Sequence, residues 1–147
     1  MDFNAKTNPG RESRLQQLEE DKVWDVLIIG GGATGVELAA ELHHTTREVV
    51  AYGLDRVDAD KDIKLSVIEA APRVLPALPE RLSSSTEKLL RSLGVDVHTN
   101  AKVAEVLPGG VRLADGRMLP AELVVWAAGV KGPEFLTRLD GLETNRI

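Results

Sequence analysis

Three consecutive glycines at the end of an apolar run constrain this chain more than any other feature. In DVLIIGGGATGVELAAEL, residues 25–42, aliphatic and β-branched residues run into Gly30, Gly31 and Gly32, and a helical period resumes at once. The run has the make-up of a parallel strand covered on both faces. From Thr34 onward, Val36, Leu38, Ala39, Ala40 and Leu42 follow a helical spacing that turns small residues toward a sheet. The spacing Gly30-x-Gly32-x-x-Gly35 assigns each glycine a task. Gly30 allows the bend out of the strand, Gly32 lets a ligand come close to backbone amides, and Gly35 lets the helix lie on the strand. Such a helix start, with its free N–H groups and the positive end of its dipole, suits a pyrophosphate. Gly31, Ala33 and Thr34 complete the turn, and Thr34 adds a hydroxyl.

The chain downstream repeats the pattern and then breaks it. KLSVIEA is a second strand ending in Glu69. Pro79 opens a helix that carries Leu82, Leu89, Leu90 and Leu93 on one stripe and stops at Gly94, and VDVHT is a third strand. Strand, helix, strand, helix, strand is one half of a doubly wound sheet. Residues 102–129 instead give three or four short strands separated by Pro108-Gly109-Gly110 and Ala114-Asp115-Gly116, both hairpin signals. The expected fold is therefore α/β: a Rossmann-like, three-layer domain whose parallel sheet has a β-meander in place of the third crossover helix. Residues 133–142 suggest a final helical turn. Residues 1–22 read as a polar arm and a short helix, residues 23–147 as one dinucleotide-binding domain.

Glu69 is the acid expected at the tip of the second strand. There it can accept hydrogen bonds from the adenosine ribose hydroxyls, and a 2′-phosphate would meet like charge, which favours NAD(H) over its phosphorylated form. The interval from Gly35 is 34 residues (69 − 35), against the usual ~20. The aspartate-rich stretch at 47–63, read as a frayed helix end and a solvated loop, accounts for the excess. Ala70 borders the same site, and Arg73 stands four positions on, where it could reach a phosphate. Glu37 lies close behind the glycines, in what the spacing makes the first helical turn. It either complements the helix dipole or meets a nicotinamide ring, and the residues alone leave both readings open.

Composition removes other classes of function. At 147 residues and 43% apolar content the chain can build one core, and a net charge of −5 with mixed signs offers no field for nucleic acid. The absence of cysteine removes disulfides, thiolate metal sites and redox dithiols. His43, His44 and His98 are not spaced as a metal site, and the aspartates lack the glycine and terminal glutamate of a calcium loop. No secretion signal and no apolar run of about 18 residues is present, so a cytoplasmic domain is expected.

The stretches GGGATGVELAAEL, SVIEAAPRVLPALPERLSSSTEKLLRSLGVDVHTNAKVAEV and DGRMLPAELVVWAAGV together resemble the nicotinamide-binding domain of type II NADH dehydrogenases. These belong to the two-dinucleotide-binding flavoproteins, with the pyridine nucleotide-disulfide oxidoreductases. The resemblance implies a flavoenzyme that moves hydride from NADH to FAD and electrons to a quinone, peripheral on the inner membrane. It implies that Gly30, Gly32, Gly35 and Glu69 hold pyrophosphate and ribose, that Glu37 lies near nicotinamide and flavin, and that WAAGV, with Ala128 and Gly129, returns toward the flavin. The chain carries no second glycine fingerprint, so it is expected to be a module separated from its FAD domain and inactive in hydride transfer by itself. The segment leading into the glycine turn also resembles the FAD fingerprint of FAD-dependent glycerol-3-phosphate dehydrogenases. That leaves two further readings: an FAD-binding module, or a non-catalytic engineered or hybrid scaffold.

Overall fold

The computed structural model describes residues 23–52 and 57–129, together with residues 135 and 138. In chain order the elements are β1 (Trp24–Ile29), α1 (Ala33–Ala51), β2 (Ile63–Ile68), α2 (Glu80–Ser92), β3 (Asp96–His98), β4 (Val103–Leu107), β5 (Gly110–Leu113), β6 (Met118–Pro120) and β7 (Leu123–Trp126). Four strands form a parallel sheet in the order β3-β2-β1-β7, and β4-β5-β6 form a separate antiparallel sheet. β1 pairs along its full length with β2, from Trp24↔Ile63 to Ile29↔Ile68, and its last four residues pair with Leu123–Trp126 of β7.

This order follows from the apolar run. A strand that is hydrophobic at successive positions must be covered on both faces, and β1 is. Ile28 packs with Ala39 of α1, Val67 of β2 and Leu90 of α2 on the helical side. Leu27 and Ile29 pack with Ile68, Val111 and Leu113 against the meander. The result is three layers, helices over a parallel sheet over an antiparallel meander, as the sequence pattern predicts. The chain leaves β1 for β2 and β3 on one side and returns to β7 on the other. The glycine turn therefore opens at the point where the winding reverses, the usual place for a ligand crevice.

Three details differ from the sequence reading. α1 continues to Ala51 rather than fraying near residue 47, and Arg47 near its end pairs with Asp60 of the aspartate-rich loop. Pro79 is the residue before the helix, not its first turn, and α2 begins at Glu80. On α2 the buried residues are Ser83 and Leu90, whereas Leu82 and Leu89 are 46% and 59% exposed. At 100° per residue, Ser83 and Leu90 share one direction and Leu82 and Leu89 lie about 100° away. Ser83 fits the inward face because its hydroxyl donates to the Val74 carbonyl. The expected amino-terminal helix, Asp55 and most of the expected final helical turn fall outside the described residues.

The packing sets a stability contrast. Ile28→Ala removes a fully enclosed side chain and should cost about 2–5 kcal/mol, read as a lower urea midpoint at unchanged slope. Leu82→Ala, on the open face of α2, should change stability by no more than about 0.5 kcal/mol.

Candidate functional site

The turn after β1 is held by contacts that explain three of its glycines and leave the fourth without a structural reason. Gly30 has φ +112°, which side-chain-bearing residues rarely adopt, and a Cβ there would lie 2.8 Å from the Ala128 nitrogen. Its N–H donates to the Ile68 carbonyl at 2.8 Å. A Cβ on Gly31 would stand 2.9 Å from Cβ of Glu69, and one on Gly35 would stand 1.8 Å from the Gly30 carbonyl oxygen. The Gly35 contact is the close approach of α1 to the end of β1.

Gly32 is different. Its backbone is extended, with φ −74° and ψ −174°, which any residue can adopt. A Cβ placed there meets no atom within 4 Å. Gly32 is also the N-cap of α1, with no side-chain hydrogen bond to the cap and no acidic residue in the first turn. The first-turn amides of Ala33, Thr34 and Gly35 have no acceptor within the helix. Ala33 and Thr34 are exposed. Chemically this is a small cradle of N–H donors at the positive end of a 19-residue helix. A side chain at position 32 would stand in open space at the helix start.

Glu69 follows β2 directly, beside the turn, but its carboxylate is already engaged. Oε2 accepts the Gly31 amide and Oε1 accepts the Ala71 amide, each at 2.7 Å. Gly31, which completes the turn, therefore has its N–H taken by the protein. An ionised carboxylate has about four acceptor directions, so two remain for further donors. Ala70 is exposed next to it. Arg73 Nη2 is engaged by the protein, donating to the carbonyls of Pro76 and Leu78 at 3.0 and 3.1 Å.

On the far side of the turn, Ala127 donates to the Ile29 carbonyl at 2.8 Å, which brings Ala128 against Gly30. Gly129 follows with φ +69°. Trp126 is 60% exposed, and its indole N–H donates to the Ala128 carbonyl at 2.8 Å. Glu37 is exposed on α1, and because the helix starts at Ala33 it falls just after the first turn rather than in it. The dipole reading of Glu37 is weakened by that displacement. The histidines do not gather. His44 pairs with Glu48 at 3.3 Å, and the backbone carbonyl of His98 accepts from Glu69. Burial, aided by Arg47, holds the His43 imidazole below the ordinary histidine value. Its neutral form is thus favoured in the fold, and the stability it contributes is lost as pH falls through that lowered value.

Two residues of the site gave no local signal: Ala71, which donates to Glu69, and Leu75, whose N–H donates to the Gly31 carbonyl at 2.7 Å. Both act through the main chain. A pattern of side-chain types cannot reveal them.

Residues 5–147 match the family described as pyridine nucleotide-disulphide oxidoreductase. The chain belongs to that family. The match begins upstream of the glycine turn, so the segment that also resembles glycerol-3-phosphate dehydrogenases lies within it. Over 138 residues the chain is 40% identical to the type II NADH:quinone oxidoreductase of Haemophilus influenzae, covering 94% of this chain and 31% of that protein. Among solved structures it is similar to NDH2 from Plasmodium falciparum in complex with NADH. There the TM-score is 0.69 at 26% identity, over 81% of this chain and 26% of the other. A ferredoxin reductase for the CYP199A2 system of Rhodopseudomonas palustris aligns over 93% of this chain and 30% of its own, with TM-score 0.64 and 26% identity. This oxidoreductase-family chain thus spans about a third or less of these relatives. Among its described residues no helix is long and apolar enough to cross a membrane.

The family member's turn predicts an asymmetric response to adding one carbon. Gly32→Ala should change folding stability by no more than about 1 kcal/mol, since a lost cap preference and a stiffer unfolded chain oppose each other. Gly35→Ala must displace α1 from the Gly30 carbonyl and should cost at least about 1–3 kcal/mol, both measured by thermal unfolding.

Proposed function

We propose that this chain is the NAD(H)-binding module of a flavin-dependent NADH dehydrogenase. The observation that carries the reading is Gly32, a glycine that neither backbone conformation nor neighbouring atoms require, set at an uncapped helix start. The site fits the group: amide donors for a pyrophosphate, two unused acceptor directions on Glu69 for ribose, and room where a Cβ would stand. The amides of Gly32, Ala33 and Thr34, with the Thr34 hydroxyl, hold the phosphates. Glu69 and Ala70 border the adenosine ribose, and the Glu69 charge opposes a 2′-phosphate. Glu37 and the Ala128–Gly129 segment border the nicotinamide. The relationship to type II NADH:quinone oxidoreductases supports this assignment.

When bound, reduced nicotinamide supplies a hydride for a flavin. This chain's residues orient the dinucleotide and keep it in the crevice. The FAD, held by a further domain, and a quinone as final acceptor belong to the proposed parent enzyme, as does its peripheral place on a membrane. Turnover requires those parts in addition to the dinucleotide site.

Competitive titration with NADH and FAD, followed through tryptophan fluorescence, tests the assignment, since Trp126 is exposed next to Ala128. Binding of NADH in the micromolar-to-millimolar range is expected, an order of magnitude set by an incomplete site. NADPH should bind more weakly, and Gly32→Val should weaken NADH at least about tenfold, the equivalent of about 1.4 kcal/mol. Tighter binding of FAD than of NADH would reassign the turn to a flavin nucleotide. Binding of neither by cooperatively folded protein would mark the crevice as vestigial.

A further inference from the structure

The connection between β2 and α2 braces the glycine turn at two points. The Glu69 carboxylate takes the Gly31 amide and the Leu75 N–H donates to the Gly31 carbonyl, both at 2.7 Å. Gly31 is thereby gripped on its donor and its acceptor. Leu75 reaches this place with φ +48°, a conformation that a side-chain-bearing residue keeps only when its surroundings impose it. Those surroundings close just beyond it. The Leu78 N–H donates back to the Leu75 carbonyl at 2.9 Å. From the preceding side, Arg73 Nη2 spans the Pro76 and Leu78 carbonyls at 3.0 and 3.1 Å.

We propose that Arg73 is a positioning residue: it holds residues 75–78 in the shape that braces Gly31, so the amides of the turn are aimed before a nucleotide arrives. The proposal deepens the dinucleotide reading of the turn and rests on it for its consequence in binding. It differs from a ligand role for Arg73, because the guanidinium acts on protein carbonyls and reaches the ligand through the main chain.

Arg73→Met and Arg73→Lys in the full chain separate these roles by two readouts. The first is amide hydrogen exchange in nucleotide-free protein. Arg73→Met should speed exchange at Gly31 and Leu75 by about tenfold, the scale of one net hydrogen bond, and leave the core amide of Val67 unchanged. Arg73→Lys, whose ammonium can also donate to two carbonyls, should recover most of the protection. The second readout is affinity for NADH, NADPH and ADP, which should fall by a common factor in Arg73→Met and largely return in Arg73→Lys. Unchanged exchange at Gly31 and Leu75 would overturn the proposal, as would a loss confined to NADPH, which marks direct phosphate contact. Failure of the unaltered chain to bind any nucleotide would count against the dinucleotide reading, and the brace would still be decided by the exchange rates.

Discussion

The rest of the site depends on how closely α1 lies on the end of β1. With Gly35 so near the Gly30 carbonyl that a Cβ would stand 1.8 Å away, the helix has one place to start. That start sets the direction of its axis and of its first-turn amides. β1 cannot shift to relieve the contact, because it is paired on both edges and covered on both faces. A tightly held strand thus fixes the aim of a polar helix terminus, and the burial of Leu27, Ile28 and Ile29 is the physical basis for the placement of its exposed amides.

The second strand is coupled to the same point. Glu69 joins the turn to β2 through its carboxylate, while its backbone N–H donates to His98 and its carbonyl accepts from Ala101. One residue therefore links the glycine turn, the β2 tip and the β3 side of the sheet. A carboxylate that is already oriented by two amides loses little further freedom when it meets a ribose, which is how preorganisation aids binding. In the proposed function, the charge that orders the protein is also the one that opposes a phosphate on the ribose.

The sequence made legible those features that depend on periodicity and on glycine spacing. The β1–turn–α1 unit, the parallel order of β1, β2 and β3, and the replacement of a crossover helix by hairpins all follow from local patterns, and the fold contains them. The inward face of α2 was legible only in part: of the leucine stripe, Leu90 and Leu93 pack on the core, but Leu82 and Leu89 are exposed and Ser83 takes an inward place. Ser83 is hidden from a hydrophobicity pattern since its burial depends on one specific carbonyl, that of Val74. The engagement of Glu69 by Gly31, 38 residues away in sequence, is a tertiary contact with no local signature. Arg73 carried a recognisable charge, but its partners are main-chain carbonyls three and five residues on. Side-chain identity alone could not distinguish that use from phosphate binding.

The central claim is that the amides at the start of α1 form the nucleotide's phosphate site. Titration of the isotopically labelled chain with NADH, followed amide by amide in heteronuclear NMR spectra, tests it most directly. If these amides bind the phosphates, saturable shifts are largest at Gly32, Ala33 and Thr34, with Gly31 less affected because its N–H stays on Glu69. Saturable binding whose largest shifts lie elsewhere, leaving those three amides unmoved, would contradict it.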